Sequence, residues 1–530
     1  MSYNVVWFKR DLRVHDHAPL WHASQSRPVL CLYVVEPTYW RQEDVSSQHY
    51  EFVLESLRDL YRRLRALGAT LHVVTGEVTE VLARLHRLAP FEGLYSHEET
   101  GNAMTFERDK SVSRWCRQHG VAWHEYPQFG VVRRLKDRNT WQAAWEAHMA
   151  TSTSTVSALH SQPLPWQEGP PPSAAELGVW TLNPPHRQRG GESNALSTLH
   201  EFLSDRCESY RGGISSPTRA PQACSRLSPY LAWGNVSLRH VVQATRHRLQ
   251  SLADAPDASP SAIERQRKGL QAFTSRLYWH CHFIQKLESE PELEWRNLHR
   301  GYDGLREAAW NDTHLQALTE GRTGWPMVDA CVAMLKDTGW LNFRMRAMLV
   351  SVAAYPLWLH WRPVGVWLAR HFLDYEPGIH WSQMQMQSGT TGINTTRVYN
   401  PIKQAQDQDP QGIFVRHWLP AMRRVPDTWL WEPWRMPESV QTHLGLTVGH
   451  DAGANIPHPL VDLPSALRES KARLHARRSQ PEVRAAKQAI VDKHGSRPLP
   501  QHTSPRRPRR AYRAQLTEAT DPPQLSLAFD

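Results

Sequence analysis

The chain has 530 residues, with 62 Lys and Arg against 52 Asp and Glu, for a formal net charge of +10. That excess favours a polyanionic partner, and the length allows about three domains, or fewer if one helical unit is large. Six cysteines at 31, 116, 207, 224, 281 and 331 form no C-x-x-C pair, which excludes a readable disulfide frame or zinc site and points to a reducing compartment.

Five short apolar runs, at residues 4–10, 29–35, 70–76, 93–99 and 121–127, alternate with amphipathic segments such as 46–66. Strand and helix in alternation predict a doubly wound parallel α/β domain over residues 1–132. No G-x-G-x-x-G is present, so the dinucleotide fingerprint of such sheets is missing. Residues 133–195 turn to Ser, Thr, Pro and Gly, including TSTSTVS and EGPPPS, and are expected to be an interdomain linker with partial order at best. From Leu196 the apolar residues fall into a helical period, which predicts an all-α domain over 196–480.

Within that domain Gly212 and Gly213 break the first helix, and a Ser-, Thr- and Gly-rich segment leads into SRLSPYLAWGNVS. Hydroxyls and free amides ahead of a helix suit a phosphate. Further helices are predicted over 262–287 and 462–493. Residues 481–530 are expected to be a disordered basic tail, with PRRPRRAYR at 505–513 either solvated or bound to phosphates. With no signal peptide and no apolar run of spanning length, the expectation is a cytoplasmic, nucleoid-associated protein without a membrane partner.

The most informative stretch runs from 339 to 401. GWLNFRMRAMLV reads as a buried helix whose Arg344 and Arg346 need anionic partners, and Asp374 and Glu376, at a helix end before Pro377, are placed to supply them. Such a site suits a large, flat, polar ligand.

Three blocks of this stretch resemble, in order, motifs of the DNA photolyase and cryptochrome flavoprotein family. They are TGW at 338–340 with Asn342, Arg344 and Arg346; LDYE at 373–376; and RVYNP at 397–401. WFKRDLRVHDHAPL at 7–20, with His17 where Asn is usual, resembles the family's opening motif; residues 225–237, 276–287, 310–335 and 400–422 resemble further family segments. The likeness spans about residues 3–437.

The resemblance implies FAD, held near its diphosphate by Tyr210, Cys224, Ser225, Arg226, Leu227 and Ser228, and near its ring by Arg346, Asp374, Tyr375, Glu376 and His380. Cys224 stands where Thr is common, and Arg346 beside the ring favours the reduced anion. The resemblance also implies a lesion pocket in which Trp279 is one wall and Met386 replaces a second Trp. Arg276, Asn342, Arg344 and Gln404 then contact DNA, and Trp279, Asn342 and His380 are the catalytic candidates. Arg276 stands where repair enzymes usually carry Glu, and Arg offers donors only. Family members photoreduce flavin through three tryptophans; Trp361 and Trp310 take the middle and outer places, while the innermost falls at Met384, so Trp381 or Trp325 is expected to substitute. An antenna chromophore of folate or deazaflavin type is implied without assigned residues. No cysteine follows Cys331, which disfavours the iron–sulfur branch.

The function so implied is blue-light repair of cyclobutane pyrimidine dimers by electron transfer from reduced FAD, the reaction of a deoxyribodipyrimidine photo-lyase. The histidine pair of 6-4 lesion repair is absent at 341–343. A cryptochrome-like photoreceptor without repair and a photolyase restricted to single-stranded DNA are the alternatives, the first suggested by Arg276, His380, Met384 and Met386. In the final QLSLAFD, residues Gln524, Leu525, Ser526, Leu527 and Phe529 resemble the peptide with which bacterial repair proteins dock on the sliding clamp; docking on the chain's own domain is the other reading.

Overall fold

A computed structural model describes residues 2–252, 259–393 and 397–496. The basic run at 505–513 and the clamp-like peptide lie outside the described residues.

Strands β1 (Asn4–Phe8), β2 (Val29–Val35), β3 (Leu71–Thr75), β4 (Gly93–His97) and β5 (Ala122–Tyr126) form one parallel sheet in the order β3-β2-β1-β4-β5. They fall on the five apolar runs. β1 and β2 are buried at every position because both faces of the sheet are covered, which is why they read as unbroken apolar runs rather than alternating ones. Val5, Trp7, Leu30 and Leu32 fill one core with Val112 and Trp115; Val6, Phe8, Cys31 and Tyr33 fill another that continues into the helical domain through Tyr230, Trp233 and Leu277.

The segment 133–195 is better ordered than its composition suggests. Trp141 and Trp145 on one helix (Trp141–Ala150), with Leu159, Leu177 and Val179, are buried anchors spaced among the Ser and Pro. The backbone is also tied down: His160 accepts from the Val29 amide at 2.8 Å, and Leu159 donates to the Leu67 carbonyl at 2.7 Å.

The rest is helical apart from a two-residue strand pair at 448–449 and 456–457. The helices that matter for the site are α1 (Pro260–Ser289), α2 (Pro326–Thr338), α3 (Phe343–Ala354), α4 (Trp361–His371), α5 (Pro377–Ser388) and α6 (Pro401–Gln408). The single helix expected over 462–493 is two, Leu463–Arg478 and Pro481–His494, because Pro481 cannot continue a helix but opens one well. The expected disordered tail therefore begins as a helix at 481. No helix among the described residues is long and apolar enough to cross a membrane.

Candidate functional site

Four parts of the helical domain close on one cavity of about 340 Å³: the segment 210–232, the middle of α1, the start of α3, and the loop from 374 into α5. Asn342 caps α3 by backbone position and spends its side chain elsewhere. Its Nδ2 donates to the carbonyls of Ile214 (2.9 Å) and Ser215 (3.0 Å), while Oδ1 is buried without a partner among the described residues. Pro377 opens α5 directly after Glu376, since the first helical amide needs no partner. Arg226 is held at φ +62°, a left-handed turn ahead of the short helix Ser228–Ala232, with its guanidinium 3.8 Å from the Trp340 ring centroid.

Arg346 donates through Nη1 and Nη2 to the two carboxylate oxygens of Asp374, at 2.9 Å each. Burial alone would raise the Asp374 carboxyl, but the Arg346 guanidinium, helped by Ser228, outweighs it and holds the group below the usual range. Glu376 does not pair with α3 as its position suggests. Its partner is Arg10 from the α/β domain at 3.3 Å, and burial still pushes the Glu376 carboxyl up to about 7. Burial lowers Arg226 to about 10.

Of the residues expected from the sequence, Tyr210, Cys224, Ser225, Arg226, Ser228, Arg276, Trp279, Asn342, Arg344, Arg346, Asp374, Glu376 and Met386 line the cavity. Four others do not. Leu227 is in the core, the Tyr375 hydroxyl donates to Asp44 at 2.6 Å, and the half-buried Gln404 lies on α6 off the cavity wall. The fourth is His380. On α5 the cavity face is Ile379, Gln383 and Met386, at helical spacing, so His380 is turned by one residue toward α4 and its Nε2 donates to the Gly365 carbonyl at 2.9 Å. Burial lowers its imidazole to about 3, so it is neutral. Sequence reasoning passed over Phe273, His280 and Phe283, although with Arg276 they mark one face of α1 at intervals of three and four.

The aromatic residues behind the cavity are ordered as well. Trp381 and Trp361 are buried with ring centroids 5.9 Å apart and planes at 67°. Gly365 permits this approach, since a Cβ there would meet Trp381 Cζ3 at 2.5 Å. Trp361 donates to Asn297 Oδ1 at 2.8 Å, and Trp381 to the Tyr375 hydroxyl at 3.1 Å. Trp325, just before α2, is buried with no partner for Nε1 among the described residues; Trp310 is half-buried and donates to Asp312.

A small crevice of about 30 Å³ lies at the carboxyl ends of β1 and β2. Arg108 lines it, bound to Glu99 (2.6 Å), Asp109 (2.9 Å) and Glu36 (3.0 Å). Beside it, Asp11 Oδ2 accepts from His17 Nε2 at 2.9 Å and His97 Nδ1 at 2.7 Å, all three buried. Among the described residues this is the one group whose ligand atoms lie close enough together to hold a metal. Its spacings are those of hydrogen bonds. His17 also caps the helix Ala18–Ser24 by accepting the Leu20 amide at 3.1 Å, doing with two ring nitrogens what an asparagine does with one amide.

Fold and site together define a two-domain protein built round a cavity for a large, flat, anionic cofactor. The sequence model of the DNA photolyase family matches residues 4–134, and that of the FAD binding domain of DNA photolyase matches residues 273–476. The deoxyribodipyrimidine photo-lyase of Alkalihalophilus pseudofirmus is 24% identical over 87% of this chain and 95% of its own length. Cryptochrome DASH of Gloeobacter violaceus is 27% identical over 91% and 99%. The fold is shared with a bacterial class III photolyase from Agrobacterium tumefaciens (TM-score 0.74, 22% identity, 91% of this chain and 98% of the other). It is shared too with a Synechocystis cryptochrome (0.77, 21%, 89% and 99%).

The chain belongs to the DNA photolyase and cryptochrome family, and FAD is its cofactor. The residues present fit it. Arg226, Arg276, Arg344 and Arg346 outnumber the two carboxylates on the cavity wall, as a diphosphate requires, and the unpartnered Asn342 Oδ1 is a buried acceptor waiting for a donor.

Proposed function

We propose that this chain repairs UV-damaged DNA by splitting cyclobutane pyrimidine dimers under blue light, acting as a deoxyribodipyrimidine photo-lyase. The observation that carries the reading is one cavity with two kinds of wall. Arg226 and the Arg346–Asp374 pair stand in it with Trp279, Phe283, Met386 and Tyr399. Reduced FAD, when bound and excited, supplies the electron. Arg346 favours an anionic ring beside it. Trp279, backed by His282 at 4.8 Å and Phe283 at 5.8 Å, offers a stacking face to an extruded dinucleotide, whose flipping is cheap because the lesion already weakens pairing. Arg344 offers a guanidinium to base edges and phosphates, while Asn342, whose Nδ2 is spent on Ile214 and Ser215, offers only its Oδ1 as an acceptor. Arg276 can donate to pyrimidine carbonyl oxygens but accepts nothing from a ring N–H.

Arg276 in the lesion wall and Met386 in place of a second aromatic favour a second reading, a cryptochrome-like photoreceptor that binds FAD without repair. The deciding experiment gives pre-reduced protein a dimer-containing oligonucleotide, single- and double-stranded, under blue light. Light-dependent recovery of intact thymines on both substrates supports repair; recovery on the single strand alone narrows the substrate. No recovery on either, with FAD bound, overturns repair in favour of the photoreceptor. We further propose that Gln524, Leu525, Leu527 and Phe529 tether the protein to a sliding clamp, as a short apolar peptide entering a preformed groove.

A further inference from the structure

A buried chain of hydrogen bonds leads from Trp381 to a carboxylate of the other domain. Trp381 Nε1 donates to the Tyr375 hydroxyl at 3.1 Å, and that hydroxyl donates to Asp44 Oδ2 at 2.6 Å, a length typical of a charged acceptor. All three side chains are buried. Asp44 Oδ2 also accepts from Asn102 at 3.3 Å, but Oδ1 has no partner among the described residues.

We propose that Trp381, Tyr375 and Asp44 form a proton relay through which Trp381 sheds its indole proton when it gives an electron to the photoexcited flavin. The inference rests on FAD occupying the cavity and being photoreduced from within the chain, not on DNA repair. Trp381 is oxidised by one electron and the flavin is reduced by one. The Nε1–H bond breaks and its proton goes to the Tyr375 oxygen, while the Tyr375 proton goes to the Asp44 carboxylate. An external thiol later returns one electron, and the protons run back.

Three features support this direction. Arg362 lies over the Trp381 ring at 5.1 Å, so a positive charge left on that indole is disfavoured. Burial raises the Asp44 carboxyl against the bonds from Tyr375 and Asn102, making it a stronger base than an exposed aspartate. Trp361, the neighbouring indole, ends on the Asn297 amide, which takes no proton. A hole shared by the two indoles therefore drains at Trp381. Tyr375 and Asp44 act as positioning and proton-accepting groups behind it.

Two measurements on the FAD-loaded protein test the relay. In the dark, the Trp381 indole N–H resonance, identified by its loss in Trp381→Phe, should move upfield in Tyr375→Phe, where its acceptor is gone. After a flash, transient absorption should show the tryptophan radical cation becoming the neutral radical, more slowly in deuterated solvent. Asp44→Asn should slow that conversion about a hundredfold, the low end of what a positioned base contributes, and Asp44→Glu should restore part of it. Flavin absorbance per chain reports whether a variant is folded and loaded. Proton loss at the wild-type rate in both Asp44→Asn and Tyr375→Phe overturns the relay. So does the absence of a solvent isotope effect in the wild type, which needs no variant. No step involves DNA, so failure of the relay and failure of the repair reading are seen separately.

Discussion

Arg346 on α3 and Asp374 ahead of α5 face each other through two parallel 2.9 Å hydrogen bonds, and this pair joins the two segments between which the flavin cavity opens. Arg346 is fixed besides by a bond to the Leu341 carbonyl at 2.7 Å and by the Phe372 ring at 4.1 Å, so it cannot follow a displaced partner.

Asp374→Asn should therefore leave a largely buried guanidinium without its counter-charge, at a cost of about 3 kcal/mol. A lower melting temperature and a loss of bound FAD, read as flavin absorbance per chain, are expected. Wild-type values of both would show that the pair holds neither fold nor cofactor.

Trp381→Phe should slow anaerobic photoreduction of FAD by at least about tenfold, and Trp325→Phe should leave it near wild type, because Trp381 is the one whose ring meets Trp361. Gly365→Ala should disturb the same pair, since the added methyl falls 2.5 Å from Trp381, with a stability loss of about 2 kcal/mol. Equal rates for Trp381→Phe and the wild type would take Trp381 out of the route.

Glu376 gives a pH prediction. Its carboxyl is pushed up to about 7 from an ordinary value of 4.5, so the folded chain holds a proton there that the unfolded chain releases earlier. Stability from this group is complete below pH 4.5 and is lost as pH rises through 7. The total loss is about 3 kcal/mol. Glu376→Gln, which has no proton to lose, should match the wild type near pH 4.5 and gain on it steadily up to pH 8 in thermal melts. Parallel melting curves at all pH values would contradict the assignment.

A labelled peptide of residues 518–530 should bind a bacterial sliding clamp saturably, and Leu527→Ala or Phe529→Ala should weaken it by at least about tenfold, as expected for buried anchors. Binding indifferent to both changes means that the apolar end serves another purpose.

Much of the architecture was legible in the chain because it depends on local periodicity. The five parallel strands fall on five apolar runs, and the α1 and α3 helices appear where the 3.6-residue period does. Where the reading slipped, a single residue type overrode the average: Trp141 and Trp145 anchor a Ser- and Pro-rich linker, and Pro481 divides an otherwise continuous helical composition.

The site divides in the same way. Quoted motifs brought thirteen residues to one cavity wall, because motif order along the chain survives folding. What the order of residues does not carry is where each side chain points. One step along α5 turns a residue by about 100°, enough to send His380 to the Gly365 carbonyl while Ile379 faces the cavity. Nor does local sequence reveal partners that meet only when two domains close. Glu376 finds Arg10, and Tyr375 finds Asp44, across more than three hundred residues of chain. The sequence by itself determined the two-domain frame and the residue types of the flavin site. Only the tertiary structure decided the pairings, because burial, and with it the need of each charge or hydroxyl for a particular partner, exists only once the domains are packed.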